Sequence, residues 1–445
     1  MSIDVLVIGG GGREHALIKA LRRSPRLGRL YCAPGNAGIG RDAELLDIPG
    51  DDLEALADFA EANQVDLTVV GPEAPLVAGI ADIFRARNLR IFGPEREAAL
   101  LEGSKAFAKE VMASAGIPTA EAFLFEEHEA ALRFLGEREG PVVVKADGLA
   151  AGKGVSVCRT RQEAEEALDE IFRQRRFGPA GDRVLIEEVL EGEELSLLAI
   201  VSGEQILPLA PAQDYKRIFD LDEGPNTGGM GSYSPVPGVN AEAEESIVNT
   251  ILKPVVTELG LRGIGFRGVL YAGLMLTDEG PKVLEFNCRF GDPETQALLP
   301  RLRSDLLEIL DAAARGQELP ARAEWEEGAC VSVVMASKGY PASSSKGDVI
   351  RGLEDAEAED GVSVFHAGTA WSGDEVVTDG GRVLAVSAVA PSFAAARERA
   401  YAAVGKIYFE GAQFRMDIAL RAEEREAARQ PRRHDDGSAG PGTGR

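Results

Sequence analysis

Short apolar runs alternate with amphipathic segments through the first hundred residues of the chain. Residues 4–9 (DVLVIG), 29–34 (RLYCAP) and 66–71 (DLTVVG) have the length and apolar content of buried strands. The segment at 51–64 (DDLEALADFAEANQ) has an acidic start and apolar residues at helical spacing, and a similar segment follows residue 12. Strands that alternate with helices predict a parallel sheet with right-handed crossovers, so we expect a Rossmann-like unit here.

Each of these strands runs into a segment rich in glycine or proline, GGGGREH, PGNAG or GPEAP. The side chains of interest in these segments are Gly10, Gly11, Gly12, Asn36 and Glu73. Parallel sheets bind ligands at the carboxyl ends of their strands, and N–H groups at a helix start attract anions. The first segment does not fit G-x-G-x-x-G, because Glu14 or His15 takes the third glycine position. A ligand-free tight turn is the alternative for this loop, and helix capping is the alternative for Glu73.

A lysine-bearing glycine loop lies in the middle of the chain, within residues 141–159 (PVVVKADGLAAGKGVSVCR). Lys145 ends a β-branched run, where an unpaired ammonium group would be costly, so we expect it to meet an anion. The loop at 148–154 contains Gly152, Lys153 and Gly154 and could close over phosphates. It is not a Walker A loop, because glycine follows the lysine, and a plain hairpin turn is the alternative.

Three other stretches carry charge in unusual surroundings. Residues 183–201 read as one apolar strand with acids at its centre, which could bind an adenine amino group or a ribose. An edge strand with solvated acids is the alternative. Residues 213–235 are polar, glycine-rich and without a periodic pattern, and Asp214, Lys216 and Arg217 are their charges; such long loops are usually functional. Lys105 falls inside one predicted helix that starts at Glu95, and taken alone it predicts only a solvated face.

A carboxylate and an amide stand two residues apart in the late stretch at 283–294 (VLEFNCRFGDPE). On a strand, Glu285 and Asn287 present their oxygens on the same face, as a hard cation such as Mg²⁺ requires. Arg289 adds a planar cation, and Asp292 follows where the strand breaks. A metal, a cation and further acids at one strand end indicate a phosphate-handling site. The alternative is a surface hairpin with scattered charge.

Composition excludes several classes of protein. The net charge of the 445 residues is −25, and without a basic cluster before the tail we expect no nucleic acid partner. The chain has no apolar run of about 18 residues, and its N-terminus enters a strand directly, so we expect neither a membrane segment nor a signal peptide. The four cysteines lack metal-binding or disulfide spacing, which favours a cytoplasmic location.

Eight sequence strings together resemble one family. They are GGREHAL, APGNAG, VGPEAPLV, LEGSKAF, KADGLAAGKGV, GPNTGGMGSYSP, EFNCRFGDPETQ and VFHAGT. The chain is similar from Val5 to about Arg421 to the phosphoribosylamine–glycine ligases, which are ATP-grasp enzymes of purine biosynthesis. The resemblance implies that ATP phosphorylates glycine and that the amine of 5-phosphoribosylamine attacks the resulting glycyl phosphate. The products are glycinamide ribonucleotide, ADP and phosphate.

The resemblance also implies roles for individual residues. Lys145, Arg289 and Asp292 would be catalytic, and Glu285 and Asn287 would hold Mg²⁺ or Mn²⁺. Phosphoribosylamine and glycine would contact Gly10, Gly11, Gly12, Asn36, Glu73, Asp214, Arg289 and Asp292. ATP would contact Lys105, Lys145, Gly152, Lys153, Gly154, Glu187, Glu188, Val189, Leu190 and Glu194, with Glu193 as the rival for the ribose. One departure from the wider ATP-grasp pattern is that the strand before E-x-N, VLYAGLML, contains no acid.

We expect an α/β and α+β multidomain protein. A Rossmann-like domain at 1–100 precedes an ATP-grasp domain at 101–327, whose mobile lid lobe covers about 120–190. A small α+β domain at 328–422 packs on the N-terminal one, and 423–445 form a disordered tail. We expect a monomer that takes ATP, glycine and 5-phosphoribosylamine. The alternatives are another ATP-grasp carboxylate–amine ligase or carboxylase, and a nucleotide-binding regulator without chemistry.

Overall fold

The computed structural model describes residues 2–150 and 153–429, and within these ranges the strands and helices have the following bounds. The strands are β1 (Ile3–Gly9), β2 (Leu27–Pro34), β3 (Glu44–Leu45), β4 (Leu67–Val70), β5 (Ile91–Phe92), β6 (Ala122–Phe125), β7 (Val142–Ala146), β8 (Val155–Cys158), β9 (Val184–Glu188), β10 (Glu193–Ser202), β11 (Gln205–Pro208), β12 (Gln213–Asp214), β13 (Arg217–Phe219), β14 (Glu223–Asn226), β15 (Gly231–Ser234), β16 (Arg267–Thr277), β17 (Gly280–Asn287), β18 (Ala329–Ala336), β19 (Lys346–Val349), β20 (Val362–His366), β21 (Thr369–Ser372), β22 (Glu375–Asp379) and β23 (Arg382–Ala390). The α-helices are α1 (Gly12–Leu21), α2 (Leu53–Ala62), α3 (Glu73–Ala78), α4 (Ile80–Ala86), α5 (Arg96–Gly103), α6 (Lys105–Ser114), α7 (His128–Gly136), α8 (Arg161–Leu168), α9 (Ala241–Ile247), α10 (Lys253–Leu261), α11 (Glu294–Leu298), α12 (Leu306–Arg315), α13 (Leu353–Glu357), α14 (Phe393–Val404) and α15 (Leu420–Arg429).

The N-terminal strands form the predicted parallel sheet, in the order β3-β2-β1-β4-β5. Its strands are almost continuously apolar because helices cover both faces, as in other parallel sheets. The glycine loop after β1 leads directly into α1, and α3 begins just beyond the end of β4. The two loops therefore reach the same edge of the sheet, which confirms the predicted α/β architecture of this part.

Two antiparallel sheets form the middle of the molecule. The lid sheet has the order β6-β9-β7-β8, and the base sheet has the order β11-β10-β16-β17. The single strand that we predicted over 183–201 is wrong, because β9 belongs to the lid sheet and β10 to the base sheet. Residues 189–192 are the crossing between the two sheets. Sequence alone could not separate the strands, since both are apolar and the crossing is only four residues long.

A five-stranded antiparallel sheet, β12-β15-β18-β23-β20, joins two distant parts of the chain. Strands β12 and β15 come from residues 213–235, which we predicted to be without secondary structure, and the small two-stranded sheet β13–β14 lies between them in sequence. The sequence did not indicate these strands, because the segment is rich in glycine and its apolar runs are short. A second, three-stranded sheet, β19-β22-β21, and helix α14 complete the α+β part at the C-terminal side.

Two helix predictions are corrected by the structure. The helix that we predicted to run on from Glu95 is broken at Ser104, so Lys105 opens α6 instead of lying inside a helix. The Ser104 hydroxyl caps α6 by accepting a hydrogen bond from the Phe107 N–H. The predicted disordered tail is wrong for residues 423–429, which continue α15; residues 430–445 lie outside the described part of the chain.

Helices within the described ranges are too short or too polar to cross a bilayer. The cysteines Cys32, Cys158, Cys288 and Cys330 are all buried and unpaired.

Two buried histidines join the N-terminal sheet to the C-terminal part. The backbone N–H of His366 donates to Nδ1 of His15, 2.8 Å away, so the neutral His15 ring presents Nε2 to Asp42 at 3.2 Å. The His366 ring lies 3.1 Å from the Thr369 hydroxyl. Asn36 links the same two parts, because its amide donates to the carbonyl oxygens of Gly10 and His366.

Acid should destabilise this interface. Burial lowers the pKa of His366 to about 3 and lowers the pKa of His15 well below its usual value. The nearby cations Lys19 and Arg41 add to both shifts. Asp42 is the acid that faces the His15 ring. In the unfolded chain both rings would take up protons below pH 6.5, so stability should fall as the pH drops from 6.5. Each histidine contributes a limiting slope of about 1.4 kcal/mol per pH unit.

The measurement is the free energy of unfolding in urea between pH 7.5 and 5.5. Comparison of a histidine variant with the wild-type chain removes the contribution of other titrating groups, such as Glu102, whose pKa is raised by burial. His366→Asn should reduce the slope by about one proton relative to the wild-type chain. Identical slopes for the two proteins would contradict this account of the histidine pair.

Candidate active site

Two adjoining cavities, of about 270 and 440 Å³, lie between the lid sheet, the base sheet and α6. Lys145, Glu187, Asp214, Lys216 and Glu285 line both of them, so the two form one continuous cleft. We call the smaller one the inner cavity and the larger one the outer cavity. The inner cavity extends to Arg13 in the first turn of α1, and the outer cavity extends to the crossing between β9 and β10.

Glu285 and Asn287 face the inner cavity from the end of β17, as their spacing predicted. In the described part of the chain no protein donor is hydrogen-bonded to the Glu285 carboxylate. Burial opposes its ionisation, yet the charges of Lys216, Lys145 and Lys105 hold the pKa of Glu285 below its usual value. An ionised carboxylate with free lone pairs beside an amide oxygen fits a hard cation.

The partner strand adds no acid at this place. Gly273 and Tyr271 of β16 stand opposite Glu285 and Asn287. Among the described residues, no group of three or more histidine, cysteine or acidic side chains is arranged to hold a metal. These protein oxygens therefore fit a divalent cation as part of a ligand set that a nucleotide would complete.

Lys145 reaches the same place from the lid. Its Nζ lies 3.3 Å from the carbonyl oxygen of Leu284 and 2.8 Å from Glu187 Oε2. Leu284 sits at an irregularity in the β16–β17 pairing, between the register positions of Val283 and Glu285. The lysine that we expected to need an anion therefore contacts the residue next to the candidate metal ligand.

Two further lysines come from α6. Lys105 Nζ lies 3.2 Å from the Gly148 carbonyl oxygen, and burial lowers its pKa although Glu285 opposes the shift. Lys109 forms an ion pair with Glu187 Oε1 at 3.3 Å and also donates to Ala120 O at 2.7 Å. Glu187 is therefore held between Lys109 and Lys145, with both carboxylate oxygens engaged.

Asp147 fixes the lid strand to the start of α6. Its carboxylate accepts hydrogen bonds from the Ala106 N–H at 2.7 Å and from the Ser104 hydroxyl at 3.1 Å. Arg183 forms an ion pair with it, and the Lys105 N–H donates to its backbone oxygen at 3.1 Å. These bonds join the segment that carries Lys105 to the strand that carries Lys145.

A lysine from the 213–235 segment lies where the two cavities meet. Lys216 Nζ is 2.9 Å from Asp214 Oδ1 and also contacts the Glu194 carboxylate. Burial opposes its charge, but the carboxylates of Asp214 and Glu194 raise the pKa of Lys216 well above its usual value. Glu193, the rival of Glu194, is ion-paired with Arg425 of α15. Glu194 is thus the acid of this pair that is associated with the cleft lysine.

Arg289 stands between two acids at the inner end of the cleft. Its guanidinium lies 3.3 Å from Glu73 and 3.0 Å from Glu102, and it donates to the Asn287 side-chain oxygen at 3.2 Å. Although burial opposes the charge, Glu102 and Glu73 raise the pKa of Arg289. Glu73 is the first residue of α3, so it lies at a helix start and also pairs with Arg289.

Asp292 and Glu294 are both engaged by protein groups. Asp292 pairs with Arg382 of β23 at 3.1 Å and accepts a hydrogen bond from Gln296 at 2.7 Å. Burial opposes it, but Arg382 lowers the pKa of Asp292. Glu294 accepts hydrogen bonds from the hydroxyls of Tyr271 and Ser196. The C-terminal part therefore supplies a cation to the inner cavity.

The glycine loop after β1 is closely packed. A Cβ atom at Gly10 would lie 2.4 Å from the Gly35 oxygen, and one at Gly12 would lie 2.6 Å from the Gln296 amide nitrogen. Glu14 folds back beneath the loop and accepts a hydrogen bond from the Gly11 N–H at 2.6 Å. These close approaches explain the glycines without reference to a ligand.

Asn36 is fully engaged at this edge. Besides donating to two carbonyl oxygens, its side-chain oxygen accepts from the N–H groups of Gly38 and Ile39 at 3.0 and 2.9 Å. Its side chain holds the loop in place, and Arg13, which donates to the Phe290 oxygen at 3.1 Å, lines the inner cavity instead.

The remaining predicted nucleotide contacts fall into three groups. Glu188, Val189 and Leu190 line the outer cavity at the crossing between sheets. Gly154 lines the inner cavity, whereas Lys153 points to the Pro341 oxygen, 3.2 Å away. Gly152 lies outside the described residues.

Sequence reasoning assigned no role to six charged residues that line the inner cavity, namely Arg13, Glu102, Lys109, Lys216, Glu294 and Arg382. Lys109 follows Lys105 by four residues, and this helical spacing could have placed both on one face. Lys216 was visible as one of three charges in a polar segment. Arg13, Glu102 and Arg382 offered no local signal, since each reaches the cleft only through the packing of distant elements.

Comparisons with known proteins match the chain throughout. Three models of phosphoribosylglycinamide synthetase match it: the N domain at 3–102, the ATP-grasp (A) domain at 103–295 and the C domain at 330–421. Phosphoribosylamine–glycine ligase of Caldanaerobacter subterraneus is 52% identical over 94% of this chain and 99% of its own length. The ligase of the same name from Escherichia coli K12 is 50% identical over 95% of this chain and 100% of its own length.

Solved structures show the same relationship. The crystal structure of phosphoribosylamine–glycine ligase from Thermotoga maritima has a TM-score of 0.81 and 35% identity, covering 93% of this chain and 100% of that one. Biotin carboxylase from Campylobacter jejuni, with a TM-score of 0.71 and 16% identity over 95% of each chain, shares the fold. On this identity and coverage, the chain belongs to the phosphoribosylamine–glycine ligase family.

Proposed function

We propose that this protein joins glycine to 5-phosphoribosylamine at the expense of ATP, giving glycinamide ribonucleotide, ADP and phosphate in purine biosynthesis. The observation that carries the proposal is that lysines from three separate segments, Lys105, Lys145 and Lys216, meet Glu285 in one cleft. A cluster of buried cations around an unbonded carboxylate is suited to a metal-bound polyphosphate. The relatives named above carry the same activity in their names.

The outer cavity is the proposed adenosine site. Its walls include the apolar side chains of Val143, Leu190, Met275 and Leu284, which suit a purine ring. The backbone of residues 188–190 passes along this cavity and can supply hydrogen bonds to the base edge. Glu194 is the proposed ribose contact.

The triphosphate would run from the outer to the inner cavity past the lysines. Burial lowers the pKa of Lys105, so its charge is incompletely balanced by protein groups and an incoming phosphate would be favoured. Mg²⁺ or Mn²⁺ held by Glu285 and Asn287 would neutralise phosphate charge and polarise the bond to the transferred group. Asp147, by holding the start of α6 against the lid, keeps the lysines together as nucleotide binds.

The inner cavity is the proposed place of acyl transfer. A glycine carboxylate oxygen attacks the terminal phosphorus of ATP, the bond to the bridging oxygen breaks, and ADP leaves. The phosphoribosylamine nitrogen then attacks the carbonyl carbon, phosphate leaves with the electron pair of the C–O bond, and the nitrogen loses one proton. Arg289 lies where its positive charge can balance the anionic groups of these two reaction steps. The carboxylate of Asp214 or Asp292 can accept hydrogen bonds from the ammonium group of glycine.

Phosphoribosylamine would approach from the N-terminal sheet. Arg13 provides a cation there, and the loop at 10–12 stands at the start of α1, where Glu14 already accepts the Gly11 N–H. Glu73 faces the same region and can accept hydrogen bonds from sugar hydroxyls. We further propose a cytoplasmic monomer with domains at 1–100, 101–327 and 328–422.

The assay is ADP formation by the purified protein with Mg²⁺ and phosphoribosylamine, supplied with either glycine or bicarbonate. ADP release should depend on glycine, and glycinamide ribonucleotide should form in equal amount. Release that depends on bicarbonate would indicate a carboxylase, and ATP binding without any turnover would indicate a regulator.

Replacement of the lid lysine should impair nucleotide handling. Lys145→Met removes a cation at the junction of the cavities and leaves Glu187 with Lys109 alone, so kcat/KM for ATP should fall at least tenfold, the scale of a lost charge-assisted hydrogen bond. Steady-state kinetics with varied ATP measures the effect. Lys346→Met, at an exposed lysine of β19, is the control and should keep wild-type values. Wild-type kinetics for Lys145→Met would refute the assignment.

Replacement of the strand carboxylate should change the metal requirement. Glu285→Gln keeps the shape but removes the charge, so the Mg²⁺ concentration for half-maximal activity should rise at least tenfold. The test is a Mg²⁺ titration at saturating ATP and glycine. Glu279→Gln in the exposed turn of the same hairpin is the matched control. If both variants titrate like the unaltered protein, Glu285 does not hold the cation.

A further inference from the structure

The segment that carries Lys216 is clasped by a distant part of the chain. Arg415 is buried to 1% exposure, and its guanidinium lies 4.6 Å from the centre of the Tyr215 ring. The same guanidinium donates to the Arg217 carbonyl oxygen at 3.1 Å and to Asp222 Oδ1 at 2.9 Å. Arg415 thus contacts Tyr215 and Arg217, the sequence neighbours of Lys216, and also Asp222.

Asp417 completes this clasp. It binds Arg415 through both carboxylate oxygens, at 2.7 and 2.6 Å, and accepts a hydrogen bond from the Leu221 N–H at 2.9 Å. In the reverse direction, Asp220 accepts from the Met416 N–H at 2.8 Å. We call Arg415 and Asp417, with these bonds, the C-terminal clasp.

The clasp holds a strained turn. Leu221 and Asp222 have φ angles of 58° and 57°, in the left-handed region that a side chain such as leucine rarely adopts. The Leu221 side chain is 76% exposed, so its packing offers little compensation. Bonds from Arg415 and Asp417 stabilise this turn, together with the Arg421 guanidinium, which lies 3.0 Å from Asp222 Oδ2.

The opposite side of Lys216 is also fixed. Its carbonyl oxygen accepts the Thr227 N–H at 2.7 Å, and the Tyr215 carbonyl oxygen accepts the Met230 N–H at 2.7 Å. The Tyr215 hydroxyl accepts the Ala419 N–H at 2.9 Å. The backbone of residues 215–217 is therefore held between the 227–230 turn and the C-terminal clasp, while the Lys216 ammonium projects into the cleft.

We propose that Arg415 is a positioning residue for the nucleotide site, which acts through Tyr215 and Arg217 to place Lys216 at the junction of the two cavities. This inference rests on the proposed function only in assigning Lys216 to the nucleotide phosphates. Arg415 itself does not line the cleft, so its replacement can weaken nucleotide binding only through neighbours that do, namely the 213–226 segment and Arg421. Dependence of the loss on Lys216 distinguishes the first route from the second.

The experiment is a double-mutant cycle on nucleotide affinity. The Kd of a non-hydrolysable ATP analogue with Mg²⁺ is measured by calorimetry for the full chain, Arg415→Gln, Lys216→Met and the double variant. Arg415→Gln should weaken binding about tenfold in the wild-type chain but less than twofold in the Lys216→Met background. An equal loss in both backgrounds would overturn the proposal, because a merely structural effect does not depend on Lys216.

A matched control separates positioning from general stability. Arg397 of α14 holds the same C-terminal segment, through Glu423 at 3.0 Å and the Met416 oxygen at 3.1 Å, without touching residues 213–226. Arg397→Gln should lower the free energy of unfolding yet leave the analogue Kd within twofold. A loss of affinity in Arg397→Gln equal to that in Arg415→Gln would contradict the proposal.

Two details keep the test decisive. If Arg415→Gln does not fold, Arg415→Lys keeps the positive charge but loses the forked hydrogen bonds to Arg217 and Asp222, and the same cycle applies to it. Analogue binding needs neither glycine nor phosphoribosylamine, so a failed ligase assay and a failed cycle are separate results.

Discussion

Burial of several positive charges around one carboxylate is the constraint on which the rest of the structure depends. Lys105, Lys145, Lys216 and Arg289 all lower the pKa of Glu285, and no protein donor in the described residues is hydrogen-bonded to that carboxylate. Cations at such close quarters repel one another, so the fold must hold them by other bonds until an anion arrives. Asp147, Glu187 and the Glu194–Asp214 pair provide those bonds from the protein side. The architecture is best understood as a way of keeping this charge cluster assembled and accessible.

Each part of the chain contributes to the cluster, and this explains the unusual sheet composition. The lid sheet supplies Lys145, the base sheet supplies Glu285, and the 213–235 segment supplies Lys216 while its strands β12 and β15 join the C-terminal sheet. Helix α1 contributes Arg13 to the inner cavity, and β23 contributes Arg382. The cleft is therefore continuous from the crossing at 189–192 to Arg13 of α1, as a reaction between a nucleotide, an amino acid and a sugar phosphate requires.

What sequence could predict follows from how local each signal is. Glu285 and Asn287 were identified because strand alternation alone places i and i+2 on one face, and Lys145 because an apolar strand makes a lone ammonium conspicuous. The helix break at Ser104 was missed because its stabilising partner, Asp147, comes from elsewhere in the chain, and the crossing at 189–192 because it is short and both flanking strands are apolar. Arg382 and Arg415 carry no local pattern, and only tertiary packing shows their surroundings. The sequence also singled out Asn36 and the loop glycines as site residues. In the structure, the Asn36 side chain and the close backbone contacts of the glycines stabilise the loop itself.

The central claim is that one polyphosphate occupies the cleft between the lysines and the strand carboxylate. The most direct test is a crystal structure of the protein with a non-hydrolysable ATP analogue, Mg²⁺ and glycine. We predict the adenosine in the outer cavity, the terminal phosphates within hydrogen-bonding distance of Lys105 and Lys145, and the metal on Glu285. A triphosphate bound along the glycine loop at 10–12, with Glu285 free of metal, would contradict the account.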